Sequence, residues 1–108
     1  LGIVSNWDLS LDDHIRELGL APYLDVVVGS QAVGSEKPQA RIFQIALAQV
    51  GVTAPEALHV GDSIYADVNG ARAAGLDAVL LDRSGQAHSD YLVIRALDEL
   101  PTWLETQA

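Results

Sequence analysis

The sequence contains no cysteine. Disulfides and thiolate metal sites are therefore excluded, and the absence agrees with a cytoplasmic protein. It contains no methionine either, so a chain that opens at Leu1 inside an apolar run reads as a fragment, a processed chain or the remainder of a longer one. Basic residues are scarce: 6 against 15 acidic ones, for a net charge of −9. A protein that neutralises many nucleic-acid phosphates needs a basic stripe. None is present, so no nucleic-acid partner is expected. No apolar run approaches the ~18 residues of a membrane span, and no stretch resembles a secretory signal, so no membrane partner is expected. What the chain does have is a 49% hydrophobic composition over 108 residues, enough for one domain with a core of its own.

The apolar residues fall into short runs alternating with helical patterns. Leu1-Gly2-Ile3-Val4 reads as a buried strand ending in Ser5-Asn6. Ser10-Leu11-Asp12-Asp13 has the spacing of a capping box, opening a helix that runs to about Leu18 with Gly19 as its stop. Asp25 to Gly29 reads as a second strand, followed by a loop with Gly34, Ser35 and Pro38. Ile42, Phe43, Ile45, Ala46, Leu47 and Val50 recur at helical spacing, predicting a helix over about Ala40–Val50 that Gly51 ends. Ala57 to Val60 reads as a third strand, Tyr65 to Ala74 as a small-residue helix stopped by Gly75, and Ala78 to Leu81 as a fourth strand. Tyr91 to Ile94 is a candidate fifth, and a last helix covers about Asp98 to Glu105. Apolar strands alternating with helices predict an α/β fold: a Rossmann-like, mostly parallel sheet with helices on both faces.

In open α/β sheets ligands bind beyond the carboxyl ends of the strands, so the residues that follow each strand are the candidates. Ser5 and Asn6 follow the first. A hydroxyl and backbone N–H groups there can grip an anionic oxygen, or Ser5 is only a turn residue. Lys37 precedes Pro38 at a corner before the long helix. It is either a solvated surface lysine or the positive charge that an acidic protein handling phosphate would need. Gly61-Asp62 ends the third strand, and Asp67 lies one helical turn further on. Two carboxylates around one point suit a hard cation such as Mg²⁺; the plainer reading is a helix N-cap and a surface charge. His59, mid-strand, reads as a packed core residue, and His14 and His88 as solvated. Trp7 stands at the mouth and reads as core or cap packing ahead of substrate contact. Trp103 reads as packing of the last helix.

Taken together these signals have an order. Leu1 to Asn6 resembles the second motif of the haloacid dehalogenase superfamily, an apolar strand ending in Ser or Thr. Glu36-Lys37-Pro38 with Ile42-Phe43 resembles its third, lysine motif. His59-Val60-Gly61-Asp62-Ser63, then Asp67, Gly70-Ala71 and Ala74-Gly75, resembles its fourth, acidic motif. The resemblance covers almost the whole chain. It implies that residues 1–108 are the C-terminal portion of one haloacid-dehalogenase-like core domain. The nucleophile motif, which carries two aspartates, and the cap domain are both absent.

The resemblance also implies a chemistry. An aspartate attacks phosphorus, and water hydrolyses the aspartyl-phosphate. By the same resemblance Ser5 and the Asn6 backbone N–H bind phosphoryl oxygens, Lys37 neutralises the nucleophile and the phosphoryl group, and Asp62 ligates Mg²⁺. Asp67 orders metal waters or Lys37. The implied partners are a small phosphorylated metabolite and a missing N-terminal segment, or another chain, that completes the sheet. In the family the nucleophile's strand lies between those ending at Ser5 and Asp62. This chain alone is therefore expected to be inactive. Three alternatives stand beside this: a metal-independent 2-haloacid dehalogenase, a phosphonatase or sugar-phosphate mutase of the same superfamily, and a non-catalytic α/β domain that binds phosphate or a partner.

Overall fold

The computed structural model describes residues 1–86, 88 and 90–106. Strand β1 (Gly2–Ser5) leads through a loop into helix α1 (Leu11–Glu17). Strand β2 (Val26–Gly29) passes directly into the single turn α2 (Ser30–Val33), and α3 (Ala40–Val50) follows. Strand β3 (Leu58–Gly61) leads into a π-helical segment, Ile64–Asn69, that continues as α4 (Gly70–Ala73). Strands β4 (Asp77–Leu81) and β5 (Val93–Ile94) and helix α5 (Leu100–Thr106) complete the order.

Among the described residues every strand pairing is parallel, as the apolar runs predict. The strands form two sheets, β1–β2 and β3–β4–β5. In the first, Ser5 stands opposite Gly29; in the second, Gly61 stands opposite Leu80. Among the described residues no ladder joins β1 to β3.

Burial follows the sequence periods. α3 puts Ile42, Phe43 and Ala46 into a core with Val28, Val68, Ala71, Ala78 and Leu80. Alternate residues of a strand face opposite ways, and β4 uses both faces: Ala78 and Leu80 join that core, while Val79 and Leu81 pack with Ile94 in a second cluster. Trp103 covers the second cluster, as expected of the terminal helix. A strand buried on both sides is the mark of a covered parallel sheet.

Local departures from the sequence reading have physical causes. The capping box at Ser10 does not form. Ser10 is the N-cap, with helical dihedrals and no capping bond; its hydroxyl oxygen, which a cap would use as acceptor, instead accepts from the Trp7 indole N–H at 3.2 Å, while its O–H donates to Asp8 Oδ1. The stretch after Gly29 contains the short helix α2 where a loop is expected. The small-residue helix is not α-helical throughout: its first six residues widen into a π turn, with Val68 N–H donating to Ser63 O at 3.1 Å across five residues. Such turns recur at functional sites. α4 then runs close to the corner before α3. A Cβ added at Gly70 would meet Pro38 Cα at 2.9 Å and Phe43 Cε2 at 3.1 Å.

Candidate active site

The corner before α3 is a four-residue turn, closed by Gln39 N–H donating to Glu36 O at 2.8 Å. Its Lys37–Pro38 peptide bond is cis, and a cis-proline in this position defines a type VI turn. Pro38 thus precedes the N-cap Gln39 and sits inside the turn, outside the first helical turn. Asn6, just past β1, grips this turn with both ends of its side-chain amide. Lys37 N–H donates to Asn6 Oδ1 at 2.8 Å, and Asn6 Nδ2 donates to Lys37 O at 3.1 Å. The side chain of Asn6 is therefore a backbone clamp.

The lysine is not a solvated surface group. Its side chain is 13% exposed, and Nζ donates to Asp67 Oδ1 at 2.5 Å. Asp67 is not a surface charge either, being 3% exposed. The same Oδ1 lies 2.9 Å from His59 Nε2, and Oδ2 accepts from Ser63 N–H at 3.1 Å. Burial alone pushes the Asp67 carboxyl up. The bonds from His59, Lys37 and Ser63 outweigh burial and hold it well below the usual carboxylate range. An ionised carboxylate only accepts hydrogen bonds, so His59 Nε2 carries the proton in this contact. The imidazole also sets its plane nearly at right angles to that of Phe43, with centroids 5.0 Å apart.

Gly61 makes room for this arrangement. A Cβ there would overlap the Asp67 carboxyl group, so the glycine serves close approach, and its φ is not positive. Asn6, Lys37, Asp67 and Ser63 thereby form a continuous hydrogen-bonded bridge between the carboxyl ends of β1 and β3.

Asp62, one residue before Ser63, is exposed. It lines a cavity of about 400 Å³ with Ile64, Leu80, Leu81, Asp82, Arg83, Gln86 and His88. Ser5 and Lys37 are not among the residues lining it. Ser5 is half-buried at the end of β1. Among the described residues no group of three His, Asp or Glu side chains is disposed to hold a metal. Asp62 offers one hard oxygen donor, and Asp67 is committed to Lys37, His59 and Ser63.

Three aromatic residues make contacts that their sequence readings do not contain. His59 is packed as expected but also bonds Asp67, a role that its place in mid-strand hides. His88 is not solvated: its side chain is 19% exposed, and Nε2 lies 2.6 Å from Asp82 Oδ2. The Ser84 hydroxyl and His88 together hold the Asp82 carboxyl down at about 2. Trp7 is 44% exposed and so is not a core residue; its indole N–H donates to Ser10 Oγ at 3.2 Å. His14 keeps a half-exposed side chain, as expected.

The chain thus combines a parallel α/β fold with a buried lysine–aspartate pair bridging two strand ends, beside an exposed Gly-Asp corner. Residues 1–81 match the family model of haloacid dehalogenase-like hydrolases, and the chain belongs to that family. It is 40% identical over 85 residues to a ribulose-1,5-bisphosphate 5-phosphatase of Halopiger xanaduensis, an overlap of 79% of this chain and 36% of that protein. Among solved structures it resembles a HAD phosphatase from Thermococcus onnurineus, with TM-score 0.89, 36% identity, and coverage of 96% of this chain and 49% of that one. It also resembles a 2-haloacid dehalogenase from Pseudomonas syringae, with TM-score 0.85, 34% identity, and coverage of 100% and 47%. The chain thus spans half or less of the length of these proteins.

Proposed function

We propose that this chain is the phosphate- and metal-binding part of a Mg²⁺-dependent phosphohydrolase that acts on a small phosphorylated metabolite in the cytoplasm. The observation that carries the reading is the held lysine. Lys37 is fixed at its backbone by Asn6 and at its ammonium by Asp67. It is a preorganised positive charge at the strand ends of a protein whose net charge is −9. Preorganised charge aimed at a phosphoryl group is the main source of catalysis in such transfers. The similarity to a named phosphatase at 40% identity supports the same reading.

In this reading the Ser5 hydroxyl and the Asn6 backbone N–H receive phosphoryl oxygens, while the Asn6 side chain keeps Lys37 in place. Lys37 neutralises the phosphoryl group and the attacking carboxylate. Asp67 orders Lys37. Asp62 fits as one ligand of Mg²⁺, which is commonly held by one or two carboxylates with water and substrate phosphate completing the shell. When bound, the ion would supply further neutralisation of phosphoryl oxygens. The attacking aspartate belongs to a segment outside residues 1–108. We place that segment's strand between β1 and β3, where the two sheets remain unjoined, so the chain by itself is inactive.

The test is reconstitution. Residues 1–108 alone should not hydrolyse p-nitrophenyl phosphate. The protein extended by an N-terminal segment bearing Asp-x-Asp after an apolar strand should. Absence of turnover in the extended protein would favour a non-catalytic binding domain. The similarity to a dehalogenase structure keeps a second reading, attack on carbon without metal. Asp62 in the Gly-Asp corner weighs against it, because such an attack has no use for a hard-cation ligand. Halide release from a 2-haloacid would decide for that reading.

A further inference from the structure

We propose that His59 is a positioning residue: its Nε2–H fixes the Asp67 carboxylate in the orientation that holds the Lys37 ammonium. The proposal rests on the phosphohydrolase reading and adds to it a residue that touches neither phosphate nor metal.

Three observations carry it. First, His59 Nε2 and Lys37 Nζ meet the same oxygen, Asp67 Oδ1, at 2.9 and 2.5 Å. The other oxygen is bound to Ser63 N–H. The carboxylate is thus held at both oxygens and cannot rotate without losing a bond. Second, the imidazole is itself fixed. Its side chain is 11% exposed, and it stands at a steep angle to the Phe43 ring. Phe43 is 1% exposed and lies in the middle of the core. Third, His59 sits on β3 two residues before Gly61, whose missing Cβ leaves the space the carboxylate occupies. Strand, glycine and imidazole together define one pose of Asp67. A lysine on a flexible four-carbon stem needs such a partner to stay aimed.

The proposal separates two substitutions at one position. His59→Leu keeps apolar bulk against Phe43 and removes the donor. His59→Gln places an amide N–H at the reach of Nε2. In the complete protein with Mg²⁺ and p-nitrophenyl phosphate, His59→Leu should lower kcat about tenfold or more, the loss expected for one hydrogen bond to a charged group, with KM within about twofold. His59→Gln should recover most of that loss. A second measurement is independent of turnover. The ¹H–¹⁵N signal of the Lys37 ammonium, protected by its held ion pair, should persist in the native protein and His59→Gln and broaden away in His59→Leu. Equal kcat in His59→Leu and the native protein, an unchanged Lys37 signal in His59→Leu, or no recovery in His59→Gln would each overturn the proposal. If the native protein hydrolyses no phosphate ester, the functional reading falls, and the Lys37 signal alone decides whether His59 holds the carboxylate.

Discussion

Lys37 Nζ and Asp67 Oδ1, 30 residues apart in the chain, lie 2.5 Å from one another in the interior. The pair ties the corner before α3 to the π turn after β3. Breaking one side of such a pair strands a buried charge, at a cost of about 3–5 kcal/mol. Asp67→Asn should therefore lower stability at pH 7 by about 3 kcal/mol, read from urea unfolding.

The same pair sets the acid response. The folded-state pKa of Asp67 is depressed, so its contribution is present in full above the unfolded value of about 4 and is lost as pH falls toward the folded value. Melting temperature in the native protein should drop as pH is lowered below about 4. In Asp67→Asn that part of the drop should be missing. Parallel pH profiles for the two proteins would contradict the depressed pKa.

Asn6 gives a cleaner test of positioning, because its side chain binds only the Lys37 backbone among the described residues. Asn6→Ala removes both bonds. At about 0.5–1.5 kcal/mol for each, stability should fall by roughly 1–3 kcal/mol. Turnover of the complete protein should fall as well, since the lysine loses its anchor. Full activity in a folded Asn6→Ala protein would show that Lys37 is placed by its ammonium contact alone.

Gly61→Ala introduces a methyl group where the Asp67 carboxyl lies. Overpacking of this kind costs about 1–3 kcal/mol, and here the atom that must yield is a carboxylate in use. Both stability and turnover should drop. A Gly61→Ala protein with native melting and kinetics would mean that Asp67 has room to move.

Lys37→Ala should lose more activity than Ser5→Ala. The lysine balances several negative groups, whereas the hydroxyl is one donor among others. Loss of a single oxyanion-type donor costs about 2.7–4 kcal/mol of transition-state stabilisation, and the lysine should exceed that. Steady-state kinetics of the two variants in the complete protein gives the order.

Much of the architecture is legible in the sequence because its signals are local. α3 is bounded at Ala40 and Val50 as its apolar stripe and Gly51 predict. Each strand begins and ends within a few residues of its apolar run. Lys37, Asp62 and Asp67 stand out because glycine, proline and acidic residues punctuate strand ends.

What stays hidden depends on contacts distant in sequence. Asn6 reads as a strand-end residue whose backbone matters. Its amide instead serves Lys37, 31 positions away. His59 alternates with apolar neighbours on β3 and so looks like core; only the fold reveals that Asp67 comes to meet it. The π turn has no local signature, and it coincides with the inward-facing Asp67. One miss is local: Ser10 makes no capping bond because its backbone is helical and its hydroxyl oxygen accepts from the Trp7 indole N–H, neither of which the spacing of the motif records.

The metal-dependent phosphohydrolase reading is tested most directly by turnover of p-nitrophenyl phosphate in the complete protein after exhaustive EDTA treatment, followed by Mg²⁺ re-addition. Asp62 as a cation ligand predicts turnover that disappears with EDTA and returns with Mg²⁺, and an Asp62→Asn protein that needs more Mg²⁺ or is inactive. Undiminished turnover in excess EDTA would contradict it.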